Sequence, residues 1–171
     1  MYKKILVPTD GSDISSATAI KGVAFAKYIG AEVVGVYVAP EYQYPVYVEI
    51  IPPTYPSEQE YEATMRKAGE VHLAPIQEAA SNAGVKYSGV TALSDVSAQK
   101  IVDTATETGC DLIFMGSHGR TGLGKFLLGS VTGKVLGIST VPVLVDRLDK
   151  LPAKEQEPKI EAAGVLNRYT S

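Results

Sequence analysis

The sequence predicts an α/β protein with an open five-stranded parallel sheet, strand order 3-2-1-4-5, and helices on both faces. Apolar runs of strand length alternate with amphipathic stretches of helix length, and glycines end three of those stretches, at Gly30, Gly84 and Gly109. This alternation is typical of parallel sheets, in which each crossover is a helix. A ligand is expected beyond the carboxyl ends of the strands, where the winding direction reverses.

The first third of the chain predicts two strands and one helix. Residues 2–8, YKKILVP, form the first strand, and Ser12 offers a side-chain oxygen to cap the helix that follows. Residues 32–40, EVVGVYVAP, form the second strand. Apolar residues recur through the helix at helical spacing: Ile14, Ala17, Ala24, Phe25 and Tyr28.

Residues 40–56 predict a long loop, because five prolines and four tyrosines fall within them. Proline fixes φ and removes a backbone donor, which disfavours regular structure. The tyrosines either cover a bound ligand, form a contact surface for a partner, or pack on their own domain: Tyr42, Tyr44, Tyr47 and Tyr55.

The second helix begins at a capping box, Ser57 with Glu60, and Pro75 predicts a kink or an interruption in it. Its apolar stripe comprises Tyr61, Met65, Ala68, His72, Ile76 and Ala79. Residues 82–93 supply the helix end and a third strand. Ser94 or Asp95 is expected to cap the third helix, whose inward face carries Ala98, Ile101, Val102 and Ala105.

The last two strands differ in their expected positions. Residues 110–116, CDLIFMG, are almost unbroken in their apolar character, which predicts a strand covered on both faces. Residues 139–146, STVPVLVD, contain Pro142, which favours an edge strand because proline cannot donate to a central ladder. We expect an α/β domain over residues 1–146 and a charged tail over residues 147–171.

Composition excludes several classes of function. The net charge of −3 over 171 residues gives no electrostatic basis for binding nucleic acid or an anionic membrane. The single cysteine, Cys110, suits a reducing compartment. The start of the chain lacks the apolar core of a signal peptide, and no apolar run approaches the roughly 20 residues that span a bilayer. These features predict a cytoplasmic protein.

Residues 115–136, MGSHGRTGLGKFLLGSVTGKVL, predict a phosphate-binding segment. Glycines expose backbone N–H groups, Arg120 and Lys125 add positive charge, and a helix begins near Gly129 or Ser130. A helix N-terminus presents free N–H groups and a partial positive charge to an anion. The alternative is a glycine-rich loop that binds nothing.

The same segment contains G-x4-G-K, from Gly119 to Lys125, which is nearly a P-loop. A P-loop requires Ser or Thr after the lysine to hold magnesium, and it follows the first strand of its unit. Phe126 occupies that position here, and the segment follows the fourth strand. We therefore reject a P-loop.

A different spacing fits in full. Gly116, Gly119, Gly129 and Ser130 form G-x2-G-x9-G-S, and with this motif the chain resembles the ATP-binding branch of the universal stress protein family. The stretches ILVPTDGS, residues 5–12, and VPVLV, residues 141–145, are also similar to that family's first and last strands. The resemblance covers about residues 2–146.

The resemblance implies ATP, ADP or AMP as the ligand, with Mg²⁺ or Mn²⁺ carried by the phosphates. It places Pro8, Thr9 and Asp10 against the adenosine, Val38 beside the adenine and Met115 behind the nucleoside. The remaining implied contacts surround the ribose and the phosphates: Gly116, Ser117, His118, Gly119, Arg120, Thr121 and Gly122, then Gly129, Ser130, Val131 and Thr132. For Asp10 the alternative is support of its own turn.

The predicted function is that of a nucleotide-dependent regulatory switch or sensor, and the stress role comes from the resemblance alone. Slow ATP hydrolysis or nucleotidyl transfer, assisted by His118 or Asp10, and a ligand-free interaction module are the alternatives. The sequence gives neither a nucleophile–base–acid set nor zinc-type ligand spacing. The resemblance also implies a homodimer paired through the last strand, Val141–Val145. An unidentified protein partner is a further expectation.

Overall fold

The computed structural model describes residues 1–45, 55–117 and 128–147. Strands and helices alternate along the chain, as the sequence predicts. The described residues contain nine elements: β1 (Lys4–Thr9), α1 (Asp13–Ile29), β2 (Glu32–Ala39), α2 (Glu58–Ala83), β3 (Tyr87–Leu93), α3 (Ser97–Glu107), β4 (Leu112–Gly116), α4 (Ser130–Ile138) and β5 (Val143–Asp146). The predicted tail beyond residue 147 lies outside the described residues.

The five strands form one sheet in the order β3-β2-β1-β4-β5, which confirms the predicted topology. Every ladder is parallel, and Ile5 of β1 pairs with Val33 of β2 on one side and with Leu112 of β4 on the other. The winding direction reverses between β1 and β4. The carboxyl ends of these two strands therefore frame the expected ligand crevice.

Helices cover both faces of the sheet. Ile5 and Val7 of β1 pack toward α1 and α2, whereas Leu6, between them, packs toward α3 and α4. All three side chains are fully buried, because successive residues of a strand point to opposite faces. The predicted inward face of α3 is confirmed, since Ala98, Ile101, Val102 and Ala105 are all buried.

The helix starts confirm two predicted caps and correct a third. Ser12 accepts a hydrogen bond from the N–H of Ser15, and Ser57 and Glu60 form the predicted capping box of α2. α3 has Val96 at its N-cap and no side-chain cap bond within the described residues. The prediction of Ser94 or Asp95 was wrong because both lie before the cap position. The Ser94 hydroxyl instead accepts from the Val96 N–H at 3.1 Å.

Pro75 does not end α2, so the predicted interruption is wrong. The helix continues from Glu58 to Ala83 with Pro75 inside it. Proline removes one helical hydrogen bond, and burial of Leu73 and Ile76 against the sheet holds the segment in helical form. No helix in the described parts of the chain has the length and apolar character needed to cross a membrane.

The buried face of α1 differs from the apolar stripe in the sequence. Tyr28 is 89% exposed, whereas the residues that face the core are small: Ser15, Thr18, Ala19, Gly22, Val23 and Ala26. A Cβ atom on Gly22 would lie 3.0 Å from the ring of Phe114. α1 therefore approaches the sheet closely through small residues, which hydrophobicity alone does not identify.

β5 lies at an edge of the sheet, as predicted, but it is shorter than the predicted strand. It begins at Val143, and Pro142 precedes it, with its carbonyl accepting from the Ile113 N–H at 2.9 Å. All four strand residues are partly exposed. Pairing of two chains through Val141–Val145 stays a prediction.

Candidate functional site

A cavity of about 460 Å³ opens at the carboxyl ends of the strands. It lies where the winding direction reverses, the position that parallel sheets of this type offer to ligands. The described residues that line it are Pro8, Thr9, Asp10, Ser15, Val36, Tyr37, Val38, Pro40, Ser94, Asp95, Ser97, Ile101, Met115, Gly116, Gly129, Ser130, Val131 and Thr132.

The cavity brings together residues that the sequence analysis selected from four separate segments. Those lining it are Pro8, Thr9, Asp10, Val38, Met115, Gly116, Gly129, Ser130, Val131 and Thr132. Ser117 is buried beside them, and its N–H donates to the Asp146 carbonyl at 2.8 Å. The other predicted residues lie outside the described residues: His118, Gly119, Arg120, Thr121 and Gly122.

The turn after β1 is closed by its own side chains. The hydroxyls of Thr9 and Ser15 lie 2.8 Å apart, and the Gly11 N–H donates to the Thr9 hydroxyl at 3.1 Å. The Asp10 carboxylate accepts from the Ser12 N–H at 3.0 Å. Asp10 therefore supports its turn, as the alternative interpretation expected, and it also lines the cavity.

A histidine from α2 holds this turn from outside. Gly11 has a φ of +79°, and a Cβ atom there would collide with the ring of His72. The His72 ring also packs on Tyr37, with the ring centroids 4.6 Å apart. His72 is half-buried, in agreement with its predicted place on the apolar face of α2. Since Tyr37 lines the cavity, this contact joins α2 to the cavity wall.

The N-terminus of α4 forms another part of the cavity wall. Gly129 is the N-cap, with φ −56° and ψ 144°, and no described side chain caps the helix. The Gly129 N–H donates to the Ser117 carbonyl at 2.7 Å. The N–H groups of the first helical turn have no intrahelical partners, so they are available to an anionic group in the cavity.

Thr132 ties this helix start to the end of β4. Its hydroxyl donates to the Gly116 carbonyl at 2.8 Å, and the residue is 4% exposed. The hydroxyl proton is thus committed to the backbone. Thr132 positions the first turn of α4 against β4, a role that the sequence analysis did not assign to it.

The cavity wall formed by the turn between β3 and α3 was not predicted from the sequence. Ser94, Asp95 and Ser97 line the cavity there, together with Ile101 of α3. This wall could have been predicted, because ligands bind beyond the carboxyl ends of parallel strands and β3 also ends at this edge of the sheet. Ser15, Val36, Tyr37 and Pro40 were missed as well, and the alternation of side chains along β2 would have identified Val36.

The tyrosines of the predicted loop pack on one another and on their own domain in the part that the structure describes. Tyr42 contacts the rings of Tyr44, Tyr55 and Tyr61, with centroids 5.6 to 6.5 Å apart. We call these four residues the tyrosine cluster. Tyr44 is 66% exposed and Tyr55 is 38% exposed. Tyr47 lies outside the described residues.

The described residues contain no group of three or more His, Cys, Asp or Glu side chains arranged to hold a metal ion. The carboxylates in the described lining are those of Asp10 and Asp95. Cys110 is buried, and burial raises the pKa of its thiol, which makes it a poor nucleophile.

The amino-acid sequence is similar to those of a known protein family and of individual relatives. The universal stress protein family matches residues 1–147. The universal stress protein MJ0531 of Methanocaldococcus jannaschii is 37% identical to the chain over 159 residues, which cover 91% of this chain and 86% of that protein.

Two solved structures share the fold. Hypothetical protein MJ0577, a universal stress protein of the same organism, has a TM-score of 0.70 and 29% identity, covering 88% of this chain and 99% of that one. The universal stress protein from Archaeoglobus fulgidus in complex with dAMP has a TM-score of 0.53 and 20% identity, over 84% and 97% of the two chains.

Proposed function

Because the chain belongs to the universal stress protein family, we propose that its cavity binds an adenine nucleotide and that the protein acts as a nucleotide-dependent switch or sensor in a stress response. The N-terminus of α4 carries the proposal. Its N-cap is glycine, no described side chain caps it, and its first residues line the cavity. A phosphate group satisfies free N–H groups of this kind and interacts favourably with the helix dipole.

The remainder of the cavity suits a nucleoside. Val36, Val38 and Met115 provide an apolar wall, which favours the flat faces of a purine. Asp10 and Ser94 place polar oxygens on the lining, where hydroxyl or amine donors of a ligand would be recognised. The motif Gly116, Gly119, Gly129 and Ser130 supports ATP within this class, with ADP and AMP as the related ligands.

Mg²⁺ or Mn²⁺ enters the proposal as a companion of the phosphates. Mg²⁺ prefers phosphate oxygens and waters, and it needs few protein ligands when a nucleotide supplies them. The described lining fits this arrangement because it offers carboxylates at Asp10 and Asp95 without a preformed ligand cluster. The metal would neutralise phosphate charge at the start of α4.

Calorimetric titration with ATP, with and without Mg²⁺, tests the proposal. We expect saturable binding in the micromolar range. The double variant Gly129→Ala, Ser130→Ala should abolish it while the circular dichroism spectrum stays unchanged. Gly137→Ala, near the other end of α4 and with open space around it, is the matched control and should bind as the wild type does. Absence of saturable binding by the wild type would refute the nucleotide proposal.

We further propose that two chains pair through β5. This strand is at the edge of the sheet, its residues are partly exposed, and Leu136 and Ile138 of α4 are each 44% exposed. Pairing would satisfy the backbone groups of the edge and cover apolar surface. Light scattering should show a dimer, and Val145→Pro should weaken it. The Pro142 and Asp146 carbonyls bond toward β4, so the alternation along β5 directs the Val145 N–H to the outer edge of the sheet. A wild-type monomer at high concentration would contradict this proposal.

A further inference from the structure

We infer that Asp95 couples the cavity to the tyrosine cluster, so that a nucleotide in the cavity changes the packing of those rings. This inference rests on the proposed nucleotide site. Asp95 lines the cavity, whereas no tyrosine of the cluster does so among the described residues. The coupling therefore requires a chain of contacts between the two regions, and the structure contains one.

The first contacts in that chain are two hydrogen bonds to one carboxylate. Asp95 accepts from the Glu41 N–H at 3.0 Å through one oxygen and from the Gln43 side-chain amide at 2.8 Å through the other. Asp95 thus holds residues 41–43, directly after β2, against the turn between β3 and α3. Hydrogen bonds to an ionised carboxylate are stronger than those between neutral groups.

The next contacts join residues 41–43 to the tyrosine rings. The Tyr55 hydroxyl donates to the Gln43 carbonyl at 2.7 Å, and the Tyr42 hydroxyl donates to the Pro56 carbonyl at 2.9 Å. The rings of Tyr42 and Tyr55 lie 6.1 Å apart, in edge contact. A shift of Gln43 therefore changes the position of Tyr55 and its packing against Tyr42.

A second connection runs in parallel through Pro40, which also lines the cavity. The Tyr61 hydroxyl donates to the Pro40 carbonyl at 3.1 Å, and the Tyr61 ring contacts that of Tyr42 at 5.6 Å. Two lining residues, Asp95 and Pro40, are thus bonded to the tyrosine cluster or to the residues that support it. The cluster is positioned by the cavity wall from two sides.

A bound nucleotide affects the hydrogen bonds of the Asp95 carboxylate in two ways, through its charge and through its own hydrogen-bond donors. A donor on the base or ribose competes with Glu41 and Gln43 for the carboxylate, and the phosphate charge acts on it as well. The ligand shifts the cluster to the extent that it prefers one arrangement of Asp95 over another. The coupling is reciprocal. If the nucleotide weakens the bonds between Asp95 and residues 41–43 by a given factor, loss of those bonds changes nucleotide affinity by the same factor.

Selective labelling of tyrosine side chains for NMR tests this inference on the full chain, with ATP as the probe. Tyrosine fluorescence provides a parallel measurement, because the chain contains no tryptophan whose emission would overlap with that of tyrosine. We expect ATP to shift the resonances of Tyr42 and Tyr55. A second sample, with the methyl groups of methionine and threonine labelled, reports binding itself through Met115 and Thr132 of the cavity lining.

Gln43→Leu removes one bond to Asp95 and leaves the cavity lining intact. We expect the ATP-induced shifts of Tyr42 and Tyr55 to fall by roughly half or more in this variant. Gln99→Leu is the matched control, since the Gln99 amide donates to Asp103 at 2.9 Å on the exposed side of α3. The control should keep the wild-type shifts.

Tyr55→Phe provides a second variant, because it removes the hydroxyl that donates to Gln43 and keeps the ring. The ATP-induced shift of Tyr42 should decrease in it, whereas Tyr28→Phe, at an exposed position, should change nothing. If ATP moves Met115 and Thr132 but leaves Tyr42 and Tyr55 in place, the coupling is wrong and the nucleotide site stands. The same conclusion follows if Gln43→Leu matches the wild type. If ATP moves none of these resonances, both proposals fail.

Discussion

The N-termini of α1 and α4 occupy equivalent places, because each helix follows a strand that borders the reversal of winding. The two ends are built in opposite ways. α1 is capped by Ser12, and its turn is closed by hydrogen bonds of Thr9, Asp10 and Ser15. α4 begins at Gly129 and has no described side-chain cap. Two helix ends at one cavity therefore serve different purposes.

This difference separates stability from binding. A side-chain cap is worth about 1 kcal/mol to a helix, and the same N–H groups, once capped, are unavailable to a ligand. α1 uses its first-turn donors to fix the fold around the cavity. α4 forgoes that stabilisation within the described residues, and the residues of its first turn line the cavity. We expect substitutions at the two ends to affect different measurements.

Among single substitutions, the largest expected effect comes from a cap placed on α4. Gly129→Asp introduces a carboxylate that accepts the first-turn N–H groups and repels phosphate. We expect ATP affinity to fall by about a thousandfold, because like charges placed together cost several kcal/mol. The free energy of unfolding should rise by a few tenths of a kcal/mol. Calorimetric titration and urea denaturation measure the two quantities.

Gly129→Asn is the matched control for this substitution, since asparagine caps the helix without adding charge. It should weaken ATP binding less than aspartate does. If Gly129→Asp binds ATP with wild-type affinity, the start of α4 is not part of the binding site. The proposed contrast between the starts of α1 and α4 is then wrong.

The next largest effect concerns the turn before α1. Gly11→Ala should lower the free energy of unfolding by about 3 kcal/mol, since it combines a left-handed residue with a collision against His72. Gly30→Ala, with φ +72° and open space around it, isolates the conformational part and should cost about 1 kcal/mol. Equal losses in urea denaturation would show that His72 does not hold the turn.

Much of this contrast could be predicted from the sequence. The alternation of apolar runs and helices predicted the parallel sheet with helices on both faces, and Ser12, Ser57 and Glu60 predicted two caps, because these signals act between near neighbours. The contacts of Asp95 could not be predicted in this way, since its partner Glu41 lies 54 positions away. The buried face of α1 was missed because close packing selects small residues such as Gly22, which carry no hydrophobic signal.

A smaller effect is expected where α4 is tied to β4. Thr132→Val removes the hydroxyl that donates to the Gly116 carbonyl and leaves this partly buried acceptor without that donor. We expect a loss of about 1.5 kcal/mol in the free energy of unfolding and weaker ATP binding. Thr132→Ser keeps the hydroxyl and should restore most of the affinity. If Val and Ser variants bind ATP equally, the hydrogen bond does not position the helix start for the ligand.

Removing the cap of α1 is expected to change stability alone. Ser12→Ala should cost about 1 kcal/mol in urea denaturation because the Ser15 N–H loses its acceptor. ATP affinity should stay at the wild-type value, since Ser12 is absent from the described cavity lining. Ser12→Asp restores a cap and should recover the stability. A strong loss of ATP binding in Ser12→Ala would mean that both helix ends take part in binding.

The smallest effect involves α2, whose cap can be titrated. The pKa of Glu60 lies below its ordinary value, because its carboxylate accepts from the backbone N–H and the hydroxyl of Ser57. A depressed folded-state pKa stabilises the protein above the unfolded-state pKa, and this contribution is lost as pH falls through the folded-state pKa. Glu60→Gln removes the titration. The stability difference between wild type and Glu60→Gln, from urea denaturation between pH 7 and about pH 3, should therefore shrink toward acid. The neutral Ser12 cap of α1 provides the reference, since the corresponding difference for Ser12→Ala should not follow this titration. A Glu60 difference that is constant across this range would show that the carboxylate charge contributes nothing to the capping box.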